Sequence, residues 1–211
     1  MADHPVFAAL YDGVMSRAES GPLGRLRAHL VGRAKGRVLD VGAGTGANLV
    51  HLPAGLDSVV VAEPDGPMRR RLERRLEDAA VPVPVEVVSG GVPGLDFEDG
   101  SFDTILCTLV LCSVAEPTAA LAELRRLLAP EGRLLFLEHV VVPGTVGRLQ
   151  RLAAPAWQHL AAGCRLDRDT IASLRAAGFV VADCERPPIA GGTWGGFIVT
   201  GSALRRERDA A

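Results

Sequence analysis

Short runs of valine, leucine and isoleucine alternate along the chain with segments in which apolar residues recur every three or four positions. The runs lack polar alternation, as strands buried on both faces should, and the spaced segments predict helices covering a parallel sheet. Seven runs stand out as candidate strands: Arg37 to Val41, Ser58 to Glu63, Val83 to Val88, Asp103 to Thr108, Arg133 to His139, Phe179 to Cys184 and Gly195 to Gly201.

Between the second and third runs, Met68, Leu72 and Leu76 fall at a spacing of four while arginines 69, 70, 71, 74 and 75 crowd the other positions, which predicts an amphipathic helix. Its basic face reads as a solvated surface with Glu73 and Glu77 as local partners, in preference to an anionic-membrane contact. Leu121, Leu124, Leu127 and Leu128 form the stripe of another helix, which Pro130 and Gly132 are expected to stop before the fifth strand. Leu23 to Ala34 and Asp167 to Ala177 read as further helices, the latter closed by Gly178. The organisation expected is one domain: an N-terminal helical cap over 1–34, a core over 35–140, helices and last strands over 141–204, and a solvated tail over 205–211.

Composition narrows the function. A chain of 211 residues with 48% hydrophobic content can bury one sizeable core, and a net charge of −2 gives no general attraction to nucleic acid. No stretch approaches the roughly 18 to 20 uninterrupted apolar residues of a membrane span, and the first residues lack a secretory pattern, so a cytoplasmic protein is expected. Cys107, Cys112, Cys164 and Cys184 form no C-x-x-C pair and have no histidine at finger spacing, so they read as reduced thiols with no metal site.

The strongest local signal is Val38-Leu-Asp-Val-Gly-Ala-Gly-Thr-Gly-Ala-Asn-Leu49, an apolar strand running into Gly42, Gly44 and Gly46 and then, by expectation, a helix. Glycines suit a tight turn that a nucleotide-like ligand approaches closely. The looser dinucleotide fingerprint also fits Gly42-x-Gly44-x-x-Ala47. Asp40 separates the two: a carboxylate there repels a pyrophosphate and attracts the sulfonium and amino group of S-adenosylmethionine. Its alternative role is to brace the loop. Glu63, ending the second strand run, stands where a doubly wound sheet offers an acid to ribose hydroxyls. Met68 either lines the adenine side or belongs to the helix core.

Leu39-Asp-Val-Gly-Ala-Gly-Thr-Gly46, Glu63, Phe97-Glu-Asp-Gly-Ser-Phe-Asp103 and Leu127-Leu-Ala-Pro-Glu-Gly132 together resemble class I S-adenosylmethionine-dependent methyltransferases over about residues 35 to 140. The resemblance implies an α/β, doubly wound, seven-stranded Rossmann-like sheet of order 3-2-1-4-5-7-6 with strand 7 antiparallel. It also implies S-adenosylmethionine over the strands' carboxyl ends, S-adenosylhomocysteine as product, and Ser89, Gly90 and Gly91 near adenine. Many such enzymes carry an acid where Gly90 stands. The expected cofactor contacts are Tyr11, Asp40, Gly42, Gly44, Gly46, Asn48, Glu63, Met68, Gly90, Gly91, Thr108 and Leu109.

Cys107-Thr-Leu-Val-Leu-Cys-Ser-Val114, Leu137-Glu-His-Val140 and Pro155-Ala-Trp-Gln-His-Leu-Ala-Ala-Gly-Cys164 further resemble the methyltransferase-like seven group of thiol S-methyltransferases and their bacterial relatives. The animal members carry a hydrophobic anchor, which is not expected in this chain, and a histidine where Ile198 aligns. The acceptor implied is a small thiol, methylated by direct in-line transfer. A thiolate is already a good nucleophile, so positioning suffices without a strong base. His139 either orients and deprotonates the acceptor or is a structural histidine. Cys112 is a second candidate around the methyl, read as pocket wall rather than covalent nucleophile. Trp157 and His159 are expected on a lid helix.

Within methyltransferases, phospholipid head-group N-methylation and quinone C-methylation are the alternatives, since similar cores perform all three. Outside the class stand a non-catalytic cofactor-binding regulator and, disfavoured by Asp40, an NAD-dependent oxidoreductase.

Overall fold

The computed structural model describes residues 4–161, 163–187 and 197–206. Two helices, α1 (Pro5–Glu19) and α2 (Pro22–Val31), precede β1 (Arg37–Val41) and β2 (Ser58–Ala62). Then come α3 (Gly66–Asp78), β3 (Val85–Val88), β4 (Phe102–Thr108), α4 (Pro117–Leu127) and β5 (Leu128–His139). The chain continues through α5 (Gly144–Leu160), α6 (Thr170–Ala176), β6 (Phe179–Glu185) and β7 (Ile198–Arg205). The seven strands form one sheet of order β3-β2-β1-β4-β5-β7-β6, parallel except for β7, which runs antiparallel to both neighbours. That is the order and orientation the resemblance implies.

Successive residues of each central strand enter opposite cores. Leu39, Val41, Val60, Ile105, Cys107 and Phe136 face α4 through Leu121 and Leu124. Val38, Val59, Val61, Leu106 and Leu135 meet Leu30 of α2 and Leu72 of α3 on the other side. Burial on both faces explains why the strand runs show no polar alternation.

Three boundaries differ from expectation. The glycine loop enters no α-helix: only a 3-10 turn, Leu49–His51, follows, because Leu52 precedes Pro53 and takes an extended conformation that ends any helix. Pro130 and Gly132 do not separate α4 from β5. The helix passes directly into the strand, and these residues occupy a register shift opposite Phe102 and Thr104. β7 extends to Arg205, since pairing with both β5 and β6 satisfies its backbone beyond the expected end at Gly201, while Gly195 lies outside the described residues.

The arginine face of α3 also has a task beyond solvation. Arg69 pairs with Glu73 at 3.9 Å, but Arg71 and Arg75 reach Asp12 of α1 at 3.8 and 3.4 Å, joining the N-terminal helix to the sheet layer. Among the described residues, no helix is long and apolar enough to cross a membrane.

Candidate active site

Gly42, Gly44 and Gly46 at the carboxyl end of β1 all have positive φ, at 59°, 61° and 84°. At Gly42 a Cβ would stand 2.8 Å from Val110, so close packing alone requires glycine. At Gly44 it would meet only the Gly42 carbonyl at 4.0 Å, leaving open space beside a half-buried turn of backbone. Beside it, Glu63 accepts the Gly44 amide at 2.7 Å through one oxygen and the Asp65 amide at 2.8 Å through the other. Burial raises the Glu63 pKa although these amides oppose the shift. Two donors leave a carboxylate with lone pairs for further hydroxyl donors.

α1 lies across this loop. Thr45 donates to Asp12 at 2.6 Å, and the His4 amide and ring reach Asp65, which caps α3 by accepting the Met68 amide at 3.0 Å. Tyr11, half-buried on the same helix, lies within electrostatic reach of Arg27 and Cys112, and burial raises its pKa. Met68 is buried at the start of α3, and Gly90 is half-buried just past β3. A Cβ at Gly90 would come within 2.9 Å of the Leu95 side chain, so an acid there, as many such enzymes carry, would require Leu95 to shift. Gly91 follows at the same strand end.

Asp40 is placed differently from the picture of an acid facing an open cleft. It is 1% exposed and accepts Asn48 Nδ2 at 2.8 Å. Asn48 also donates to Thr108 at 3.0 Å, and Arg27 donates to both Asn48 and Thr108, at 2.7 and 2.9 Å. The remaining guanidinium nitrogens of Arg27 engage Glu19 of α1 at 3.0 and 2.8 Å. Burial lifts the Asp40 pKa to about 7, partly opposed by Asn48 and Arg27. The candidates Asp40, Asn48 and Thr108 thus meet in one polar network under the glycine loop. Arg27, which closes it, went unnoticed in the sequence. The available signal was its position among Leu23, Leu30 and Val31 on the buried face of α2.

A second group of residues meets at the carboxyl ends of β4 and β5. Leu109 adopts φ 63°, uncommon for a branched residue, as the chain leaves β4. The next three amides, of Val110, Leu111 and Cys112, donate to the Glu138 carboxylate at 2.9, 2.9 and 3.1 Å. Burial lifts the Glu138 pKa to about 7 against those bonds. Arg168 donates to the carbonyls of Leu111 and Val114, both at 2.6 Å, fixing the turn from its other side.

His139 and Cys112, both expected near the methyl, do come together: Nδ1 lies 3.8 Å from the Cys112 sulfur. Cys164 joins them, 3.6 Å from each. The shared contact with Cys112, followed by His139 and Trp157, draws the Cys164 pKa down, while Cys164 and burial push that of Cys112 up. No linear spacing pattern announced this trio. Trp157 packs against it from α5, whereas His159 is exposed and bonds the Pro155 carbonyl within its own helix. Cys107 lies in the core and Cys184 is exposed on β6.

The methyltransferase domain family matches residues 39–136, from β1 through most of β5. Human thiol S-methyltransferase TMT1A is 32% identical over 176 residues, covering 82% of this chain and 72% of the relative. Human thiol S-methyltransferase TMT1B is 38% identical over 160 residues, 74% of this chain, and the chain spans 65% of that relative's length. The complex of the Haloferax volcanii Trm112 methyltransferase activator and a putative methyltransferase contains a chain of the same fold. It aligns with a TM-score of 0.71 at 18% identity, over 98% of this chain and all (100%) of that one. The sheet order, the glycine turn with its acid and these relatives agree: the chain belongs to the class I S-adenosylmethionine-dependent methyltransferases.

Proposed function

We propose that this protein transfers the methyl group of S-adenosylmethionine to a small thiol. The carrying observation is the acceptor side of the sheet, where the buried carboxylate of Glu138 is committed to three backbone amides and His139 Nδ1 faces two thiols. This arrangement suits an acceptor that needs orientation more than proton abstraction, as a thiol does. The two human thiol S-methyltransferases support the same choice.

The residues present fit the donor. Open space over Gly44 admits a ligand edge against the main chain, and Glu63 retains lone pairs for the ribose hydroxyls. Asp40, held through Asn48, supplies negative charge below the loop for the cationic methionine end. Tyr11 would cover the pocket from α1, Met68, Gly90 and Gly91 would border adenine, and Thr108 and Leu109 would border the methyl. When bound, the cofactor supplies an electrophilic methyl on sulfur. The fold would then hold that carbon in line with the acceptor and keep water out.

The test is S-adenosylhomocysteine formation with alkyl and aryl thiols, hydrogen sulfide, phosphatidylethanolamine and a quinol, each presented separately. Thiol-dependent turnover is expected. Turnover with only the lipid or the quinol overturns the acceptor, and cofactor binding without turnover on every acceptor overturns the enzyme reading.

A further inference from the structure

Cys112, His139 and Cys164 come from three separate parts of the chain: the turn after β4, the end of β5 and the segment after α5. Their sequence separations are 27, 25 and 52 residues, yet the three donor atoms form a triangle with edges of 3.6, 3.6 and 3.8 Å. A tetrahedral zinc ion with metal–sulfur bonds of about 2.3 Å and metal–nitrogen bonds of about 2.0–2.1 Å requires a sulfur–sulfur edge of about 3.8 Å and sulfur–nitrogen edges of about 3.6 Å. The observed triangle meets that requirement within about 0.2 Å on every edge.

We propose that Cys112, His139 and Cys164 form a zinc site whose fourth coordination position receives the acceptor thiol. Cys112 is fully buried and Cys164 is 7% exposed, so a bare divalent ion would be costly there. Two thiolates and a neutral imidazole cancel the charge. The surroundings are built as a rigid second layer: Glu138 holds the Cys112 amide, the Arg165 amide holds the Cys112 carbonyl at 2.9 Å, and Trp157 packs against the two cysteines. Among the described residues no fourth cysteine, histidine or carboxylate joins the cluster, and three protein ligands with one exchangeable position define a catalytic zinc set. Its place at the carboxyl ends of β4 and β5 is the acceptor side of the sheet.

The use of the fourth position rests on the thiol reading above. A thiol entering it gives its proton to solvent and binds as thiolate. The thiolate sulfur then forms a bond to the methyl carbon while the bond from that carbon to the donor sulfonium breaks, its electron pair staying on sulfur as S-adenosylhomocysteine. The neutral thioether is a weak ligand and leaves.

Reduced, chelator-stripped protein is titrated with zinc against a chromophoric chelator, and separately with cobalt. One equivalent of zinc per chain is expected, with a thiolate-to-cobalt charge-transfer band in the wild-type protein. C112S and C164S should each weaken uptake at least about 100-fold, while C184S leaves it unchanged. Cofactor binding by each variant checks its folding, and the wild-type cobalt spectrum requires no variant. Absence of stoichiometric uptake, absence of the band, or uptake indifferent to both serine variants overturns the site. Stripping zinc should lower kcat/KM for thiols at least tenfold. Uptake with thiol turnover indifferent to zinc overturns the role of the fourth position, uptake with turnover only on another acceptor overturns the thiol reading and leaves the site, and thiol turnover without uptake does the reverse.

Discussion

Asn48 Nδ2 donates to the Asp40 carboxylate at 2.8 Å, so the acid that ends β1 is bound into a buried network beneath the glycine loop. If S-adenosylmethionine binds over this loop, the influence of Asp40 on it is electrostatic, exerted through the loop.

Burial places the Asp40 pKa at about 7, above its unfolded value. A cationic ligand favours the ionised acid, so below pH 7 a proton must leave before S-adenosylmethionine binds well. Calorimetry should show affinity rising with pH between 5 and 7, by up to about tenfold per unit, and Asp40→Asn should flatten the profile. An unchanged profile in that variant would remove Asp40 from donor recognition. The sign for stability is opposite. The folded apo protein holds this proton more tightly, so the contribution is complete below about pH 4 and lost as pH rises through about 7.

Arg27 is 2% exposed and donates to Glu19, Asn48 and Thr108. Arg27→Ala leaves a partly buried carboxylate unpaired and should cost about 3–5 kcal/mol in denaturant unfolding. Arg27→Lys should recover little of it, since an ammonium cannot reproduce the fork that spans three partners.

Gly44 has φ 61° and nothing closer than 4.0 Å to a built Cβ. Gly44→Ala should therefore destabilise the fold only by the backbone penalty, about 1–2 kcal/mol. Cofactor affinity should fall much more, because the methyl enters the space the ligand edge needs. Equal affinity by calorimetry would place the ligand elsewhere.

Glu138 accepts three consecutive amides. Glu138→Gln presents an NH2 group to one side of that turn, and leaving a buried amide without its acceptor costs about 1–3 kcal/mol. Thiol turnover should drop while S-adenosylmethionine binding stays near wild type, separating the β4–β5 end from the glycine-loop end of the site.

The sheet was legible because its strands are buried on both faces: Val59 to Val61 and Ile105 to Cys107 leave no polar position for another structure to use. Gly42, Gly44, Gly46 and Glu63 were legible for a related reason, since a tight turn and its neighbouring acid lie close in sequence or recur at a fixed place in the fold. The helix expected after the loop failed on one local conflict, Leu52 before Pro53, and the break expected at Pro130 failed because a register shift absorbed it.

The sequence by itself determined the α/β alternation, the strand order through its family likeness, and the tight glycine turn at the end of β1. Only the tertiary structure decided that Asp40 lies in a buried network closed by Arg27, and that Cys112, His139 and Cys164 meet within 3.8 Å. The reason is physical. Hydrophobic periodicity and turn chemistry are set by neighbours a few residues away, whereas a polar network or a ligand triangle depends on where separate strand ends are brought by packing, and no spacing along the chain records that.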